Sequence, residues 1–170
     1  MTDFVAIDFE TADSGADSAC ALGLVKVVNG QITETQVRLI RPPRSLFMFS
    51  HIHGIYWNDV AAKPRFGQLW PALEPLLRGA DFLAAHNASF DKRVLTACCT
   101  AADLPVPPLP FICTVKLARD TWDLRPTKLS DVAAHLNIAL NHHEALSDAS
   151  ACARIVLAAH AQGAKLEVPA

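Results

Sequence analysis

The N-terminal stretch FVAIDFET, residues 4–11, is the feature that most constrains this chain. Its apolar start is typical of a buried strand, and buried strands rarely end in charge, yet this one ends in Asp8 and Glu10. Because strand side chains alternate between two faces, both carboxylates should point to the same side of the strand end. Like charges this close raise each other's pKa unless a cation lies between them, and a divalent metal ion is the obvious candidate. A solvated strand end followed by a turn is the alternative at this point.

The bulk composition indicates a globular protein with a well-buried core. Of the 170 residues, 51% are hydrophobic and 19% are charged, which is below the usual quarter and argues against disorder. This length suits one domain, which we expect to span residues 1–170, with its core over 4–160 and a short tail at 165–170.

Charge and hydropathy narrow the classes of function. The net charge of −2 gives no global basic footprint for nucleic acid, although an acidic site that binds metal ions would lower the charge without repelling such a substrate. The chain has no apolar stretch of the roughly 18 residues that a membrane-spanning helix needs, and no signal-peptide pattern. We therefore expect a cytoplasmic protein with no membrane partner. The five cysteines, an odd number without a CxxC motif, predict reduced core thiols.

The order of the predicted elements indicates a mixed α/β fold. Two β-branched runs, 19–28 and 31–40, flank Asn29-Gly30, which is the strongest short-range hairpin signal, so the first three strands should form an antiparallel meander. Apolar spacing and caps predict the remaining elements. These are helices over 66–77, from Ser89, over 114–122, over 129–136 and from near Ser147, and strands over 81–85 and 111–113.

The segment from Phe47 to Trp57 is rich in aromatic residues and histidines and has no regular periodicity. It predicts a loop that contacts a substrate or partner, and a cluster that covers one end of the core is the alternative. His51 and His53 suggest zinc ligands, but a third ligand at suitable spacing is missing, which disfavours zinc.

Further carboxylates lie at predicted element ends. Asp91 and Asp148 fall in first turns of helices, where the helix dipole alone would favour an acid. His143 lies five residues before Asp148. Element ends on one side of a mixed sheet converge on one crevice, and several acids with one histidine there match the needs of two-metal phosphoryl chemistry.

These residues, taken in order, resemble the DEDDh 3′–5′ exonucleases, the family that includes the epsilon proofreading subunit of bacterial DNA polymerase III. The three family motifs are matched by IDFET, HNASFD and HEALSD, the last with the His-x4-Asp spacing. HIHGI resembles the family's loop against the terminal nucleotide, and CTVKLAR and KLSDVAAHLNI look like the stretch before the third motif. The resemblance covers residues 4–160, and three ordered motifs together are highly specific. It implies a ribonuclease H-like α/β fold, a five-stranded mixed sheet with helices on both faces.

The resemblance also implies roles for these residues. Asp8, Glu10 and Asp148 would ligate one Mg²⁺ or Mn²⁺ ion, and Asp8 and Asp91 would hold a second. His143 would be the general base that takes a proton from water, so that nucleoside 5′-monophosphates leave from a single-stranded 3′ end of DNA or RNA.

Substrate contacts are implied at fewer positions. His53 and Ile55 would meet the 3′-terminal nucleotide, and Phe9, Thr11 and Asn87 would line the pocket. Basic residues are candidates for phosphate contacts, although such residues are more often plain solvated surface. The candidates are Arg44, Lys63, Arg65, Lys92 and Lys128.

Two rival functions remain from the sequence: a catalytically inactive nucleic-acid-binding module on the same fold, and an unrelated metal hydrolase of small phosphoesters. Inactive copies usually lose an acid or the histidine, and all five positions are present here. The choice between DNA and RNA stays open, because the 2′-OH is sensed by pocket geometry. No polymerase-binding extension is evident after the last predicted helix, so we expect a free-standing nuclease. Some relatives form dimers, which leaves a homodimer open.

Overall fold

A computed structural model describes residues 3–166 as a five-stranded sheet with helices on both faces. The strands are β1 (Phe4–Thr11), β2 (Ala19–Val28), β3 (Gln31–Leu39), β4 (Phe82–Ala85) and β5 (Phe111–Cys113). The helices are α1 (Ser50–His53), α2 (Trp57–Val60), α3 (Phe66–Leu73), α4 (Ala88–Ala101), α5 (Thr114–Trp122), α6 (Leu129–His135) and α7 (Ala145–Ala161).

The strands lie in the order β3-β2-β1-β4-β5, so β1 is central. β2 is antiparallel to both β1 and β3, whereas β4 is parallel to both β1 and β5. Asn29 and Gly30 form the turn between β2 and β3, with φ angles of 50° and 76° in the left-handed region that these two residues tolerate best. The predicted hairpin and the mixed ribonuclease H-like sheet are therefore confirmed.

The side chains of β1 alternate between two cores. Its odd-numbered apolar residues, ending in Phe9, face a core that includes residues of α3 and α4. Phe4 and Ala6 face the other core, which includes residues of α5, α6 and α7. Asp8 and Glu10 continue this even-numbered series, so both carboxylates project toward α7.

The predicted helix over 66–77 is divided in two. α3 ends at Leu73, and Glu74–Leu77 forms a separate 3-10 turn. Pro75 has no N–H to donate to the carbonyl of Pro71 one turn earlier, so the α-helical hydrogen-bond pattern is interrupted there.

Two helices begin earlier than predicted. α4 starts at Ala88 rather than at Ser89, with Asn87 as its N-cap residue, and the Ser89 hydroxyl donates to the side chain of Asn87 at 3.2 Å. α7 begins at Ala145 rather than near Ser147, whose hydroxyl accepts a hydrogen bond from the backbone of the preceding loop instead.

The segment predicted as an irregular loop contains two single-turn helices, α1 and α2. Three of its large apolar residues are 45–59% exposed, which argues against the alternative that it merely covers the core. They are Met48, Ile52 and Tyr56.

Within residues 3–166, no helix combines the length and the apolar character that crossing a membrane requires. Of the expected tail at 165–170, residues 167–170 lie outside the described part of the chain. All five cysteines are free, and all except Cys113 are buried, as predicted.

A glycine in β2 determines how closely α7 approaches the sheet. Gly23 is the antiparallel partner of Asp8, so it faces the same side of the sheet. A Cβ atom on Gly23 would overlap the backbone carbonyl of Ala145, the first residue of α7. The first turn of α7 therefore rests on the backbone of β2, directly beside the carboxylates of β1.

Replacing Gly23 by alanine should destabilise the protein, because the new methyl group would push the start of α7 away from the sheet. Overpacking of this kind costs about 1–3 kcal/mol. Gly67→Ala is a matched control, since its Cβ would meet the side chain of Ala102, at 2.9 Å, and no backbone atom closer than 3.8 Å. Urea unfolding measures the free energy of unfolding of both variants. A Gly23→Ala protein as stable as the parent would contradict this account of α7.

Candidate active site

Three carboxylates from two elements meet at the C-terminal end of β1. Asp8 and Glu10 project from the strand, and Asp148 comes from the first turn of α7. One oxygen atom from each lies within 4.8 Å of the other two. The side chains of Glu10 and Asp148 are only 9% and 4% exposed. The acids of the first and third predicted motifs are thus brought together.

Burial and repulsion from neighbouring carboxylates disfavour the charged forms of Asp8 and Glu10. Burial, followed by the charges of Asp91, Asp148 and Glu10, raises the pKa of Asp8 well above its usual range. Burial, followed by Asp148 and Asp91, raises the pKa of Glu10 to about 8. Carboxylates in this situation gain most from a cation placed among their oxygen atoms.

Asp91 reaches the same end of β1 from the first turn of α4, and it is 1% exposed. The pairing of β1 with β4 stops at Ala6 and Ala84, and beyond it the N–H of Phe9 donates to Oδ1 of Asp91 at 3.0 Å. Burial raises the pKa of Asp91 to about 8, although this hydrogen bond opposes the shift, and the charge of Asp148 adds to it. The acid of the second motif therefore belongs to the same group.

Two adjacent histidines lie beside Asp148. Nδ1–H of His142 donates to Oδ2 of Asp148 at 2.9 Å, and the backbone N–H of His143 donates to the same oxygen at 3.1 Å. The two imidazole rings stack, with centroids 3.8 Å apart. Burial, and then the neighbouring His142, lowers the pKa of His143. Oδ1 of Asp148 is buried and has no hydrogen-bond partner among residues 3–166, so it can accept a ligand.

These groups border a cavity of about 710 Å³. Phe9, Thr11 and His53, three of the five residues predicted to contact substrate, line it. Ile55 and Asn87 do not: Ile55 donates its backbone N–H to Nδ1 of His53 at 3.1 Å, and Asn87 lines a second cavity of about 660 Å³. The predicted loop therefore contributes to the cavity, but through a different isoleucine, Ile52 in α1.

His53 is held in one tautomer by two backbone groups. Its Nδ1 accepts from Ile55, so the proton is on Nε2, which donates to the carbonyl of Thr11 at 3.1 Å. Burial lowers the pKa of His53, which favours the neutral ring. His53 therefore joins α1 to the last residue of β1 and does not require a metal ion to explain its position.

Several cavity residues were not identified from the sequence. His86 directly follows β4, where Nε2–H donates to the carbonyl of Thr127 at 3.0 Å and Nδ1 accepts from the hydroxyl of Thr114 at 2.8 Å. Its position at the start of HNASFD was a usable signal, whereas His142 was overlooked because the His-x4-Asp spacing selects His143. The others lining the cavity are Phe49, Ile52, Phe90, Leu129 and Ser130.

The five basic residues considered for phosphate contacts lie in different environments. Lys128 is the one of the five that lines the cavity. Arg44 instead forms ion pairs with Asp13 and Asp17, at 2.9 and 2.6 Å. Arg65 and Lys92 line two other cavities.

Comparisons with known proteins show similarity to nucleases and to part of a DNA polymerase. The chain is similar to Exodeoxyribonuclease 10 of Escherichia coli K12, with 34% identity over 142 residues that make up 78% of this chain and 58% of that protein. It is also similar to the PolC-type DNA polymerase III of Thermotoga petrophila, with 32% identity over 158 residues, or 91% of this chain. That match spans only 12% of the polymerase.

A solved structure of Exonuclease X in complex with 5′ overhanging duplex DNA superimposes with a TM-score of 0.77 and 29% identity, and the match covers 97% of this chain and 96% of that one. The family model for exonucleases, RNase_T, matches residues 5–156, nearly all of the described chain. With its three motifs gathered at one end of the central strand, the chain belongs to the DEDDh-type 3′–5′ exonuclease family of hydrolases.

Proposed function

We propose that this chain removes nucleoside 5′-monophosphates from the 3′ end of single-stranded DNA, with two divalent cations, Mg²⁺ or Mn²⁺, and His143 as general base. The observation that carries the proposal is the meeting of Asp8, Glu10 and Asp148 at the edge of a cavity that His143 also lines. The similarity of this chain to an exodeoxyribonuclease and to a structure of Exonuclease X with DNA supports DNA over RNA.

The donor set fits divalent cations that prefer oxygen. Asp8, Glu10 and Asp148 would hold one ion, and the buried Oδ1 of Asp148 has an unused acceptor position. Asp8 and Asp91 would hold the second. The bound cations would supply charge neutralisation and Lewis-acid polarisation of the scissile phosphate and the attacking water.

His143 is suited to accept a proton from the attacking water. Its lowered pKa keeps the imidazole neutral near pH 7, so one ring nitrogen carries a free lone pair. Its backbone N–H donates to Asp148, which fixes the loop next to the carboxylates. His142 has a different role, because its Nδ1–H is already given to Asp148 and orients that carboxylate.

The remaining walls suit a terminal nucleotide. Phe49, Ile52 and Phe90 offer apolar and aromatic surface on which a base can stack, and Lys128 offers a cation for the phosphodiester backbone. Thr11 and His53 line the same cavity, where they would meet the sugar of a nucleotide whose phosphate faces Asp8.

Digestion of a 5′-labelled single-stranded oligonucleotide tests the proposal. With Mg²⁺ or Mn²⁺ the label should appear in a ladder that shortens from the 3′ end, and a chelator should stop it. A matched RNA oligonucleotide separates a deoxyribonuclease from an exoribonuclease. Internal cuts, hydrolysis restricted to mononucleotide esters, or binding without cleavage would contradict the proposal and favour one of the rival functions.

Replacing His143 by alanine should lower kcat by about 10²–10⁴-fold, the usual contribution of a general base, because the attacking water then loses its proton acceptor. Mn²⁺ binding, measured by calorimetry, should stay close to that of the parent. His142→Ala is the matched control: it should change the Mn²⁺ affinity more than kcat at saturating metal, because His142 contacts Asp148. Equal turnover of His143→Ala and the parent would remove His143 as the base.

In a chelator, the stability of the protein should fall as the pH rises from the ordinary pKa of Glu10, 4.5, to its raised value of about 8. Over this range the unfolded chain has released the proton that the folded protein still holds, so rising pH favours unfolding, and each unit of pKa difference corresponds to about 1.4 kcal/mol. Added Mn²⁺ should raise the melting temperature most at the upper end of this range.

Thermal unfolding with chelator and with Mn²⁺ at several pH values measures this dependence. Glu10→Gln has no carboxylate to ionise at this position and should show a shallower fall than the parent. A melting temperature that rises with pH in the chelator, or that Mn²⁺ leaves unchanged, would contradict the role given to the carboxylates.

A further inference from the structure

We infer that Arg44 is a positioning residue, which holds residues 44–55, here called the cavity loop, against the end of β1 so that Phe49, Ile52 and His53 line the cavity. The consequence for substrate binding rests on the proposed function, whereas the placement of the loop does not. Arg44 acts through two carboxylates, Asp13 and Asp17, in the turn that follows β1.

Arg44 donates two hydrogen bonds to each of the two carboxylates. Nε and Nη2 donate to the two oxygens of Asp13 at 2.9 and 3.1 Å. Nη1 and Nη2 donate to the two oxygens of Asp17 at 3.0 and 2.6 Å. Bidentate pairs of this kind are the strongest and most directional contacts of a guanidinium group. The pKa values of Asp13 and Asp17 are lowered, mainly by these hydrogen bonds.

The acceptors are themselves fixed. The side chain of Asp13 is 5% exposed, and its Oδ1 also accepts the backbone N–H of Gly15 at 2.7 Å. The Ser18 hydroxyl closes the same turn by donating to the carbonyl groups of Asp13 and Gly15 at 2.9 and 2.7 Å. A Cβ atom on Gly15 would overlap the guanidinium of Arg44, so this turn is shaped to admit the arginine.

Three further hydrogen bonds attach the cavity loop to the last residue of β1 and to Ala12, the residue that follows it. The backbone N–H groups of Met48 and Phe49 donate to the carbonyl of Ala12 at 2.7 and 3.3 Å, and His53 donates to Thr11 at 3.1 Å. Burial contributes less to its position, because large apolar side chains of this loop remain in solvent. Leu46, Met48 and Ile52 are 56%, 49% and 45% exposed. Polar contacts, with Arg44 at the start of the loop, therefore hold it in place.

This arrangement replaces the sequence-based idea that Arg44 contacts a phosphate. Four of its N–H donor positions are committed to carboxylates, and the cluster of one cation with two acids has a net charge of −1. A group in this state attracts a phosphodiester poorly. The same residue instead places the apolar surface on which a terminal base would stack.

Three substitutions and one control distinguish a positioning role of Arg44 from a direct contact with phosphate. Arg44→Ala removes the guanidinium. Arg44→Lys keeps the positive charge but cannot form bidentate hydrogen bonds with two carboxylates, and Asp17→Ala leaves Arg44 with Asp13 as its remaining carboxylate partner. Arg38→Ala is the control, because Arg38 is exposed on β3 and its Nη1 donates to the carbonyl of Val37.

Hydrogen exchange of the Met48 and Phe49 amides measures how firmly the cavity loop is held. KM and kcat on single-stranded DNA measure whether its position affects substrate binding or turnover. In the Arg44→Ala protein we expect exchange to accelerate and KM to rise by about tenfold each, with a smaller change in kcat and the same Mn²⁺ affinity. Arg44→Lys and Asp17→Ala should change in the same direction, and Arg38→Ala should match the parent.

The outcomes are distinct from those that test the activity. A protein without exonuclease activity would overturn the proposed function, while faster exchange in the Arg44 variants would still support the placement of the loop. Unchanged exchange in Arg44→Ala, or faster exchange with an unchanged KM, would overturn the positioning role. Rescue of KM by Arg44→Lys, or a lower KM in Asp17→Ala, would replace it with a direct phosphate contact.

Discussion

The crowding of four acids at one end of the central strand is the constraint on which the rest of the structure depends. Asp8, Glu10 and Asp148 have oxygen atoms within 4.8 Å of one another, and Asp91 is 1% exposed beside them. Left as charges in a poorly solvated position these acids would repel one another, and burial, followed by this repulsion, raises the pKa values of Asp8, Glu10 and Asp91. Such a cluster costs stability in the absence of cations and so indicates a function.

The fold is arranged so that this cluster can form. β1 lies in the middle of the sheet with its acids facing α7, and Gly23 lets the start of that helix rest on the sheet beside them. Asp91 serves two purposes. One of its carboxylate oxygens accepts the N–H of Phe9 beyond the last pair of β1 with β4, and the other oxygen stays available for a ligand. On the other side of the cavity, Arg44 and His53 attach the cavity loop to the end of β1. The carboxylates and the cavity loop are thus both attached at the end of one strand.

Local patterns in the sequence predicted much of this and missed what depends on distant contacts. Strand alternation placed Asp8 and Glu10 on one face, and Asn29-Gly30 predicted the hairpin, because both follow from backbone geometry over a few residues. The pairing of Arg44 with Asp13 joins residues 31 positions apart and left no local signal. His142, whose ring contacts Asp148, was overlooked, since the His-x4-Asp spacing selects its neighbour His143. Ile55 was likewise expected in the cavity that Ile52 lines.

The most direct test of the central claim is a crystal structure with Mn²⁺ and a 3′-terminal nucleotide, with data collected at the manganese absorption edge. The account predicts two anomalous peaks at the end of β1, roughly 3.5–4 Å apart, with Asp8 in contact with both and Glu10 with one. It also predicts the scissile phosphate between them and His143 within reach of the attacking water. An absence of peaks at these carboxylates under conditions that support hydrolysis, or peaks held elsewhere in the chain, would contradict it.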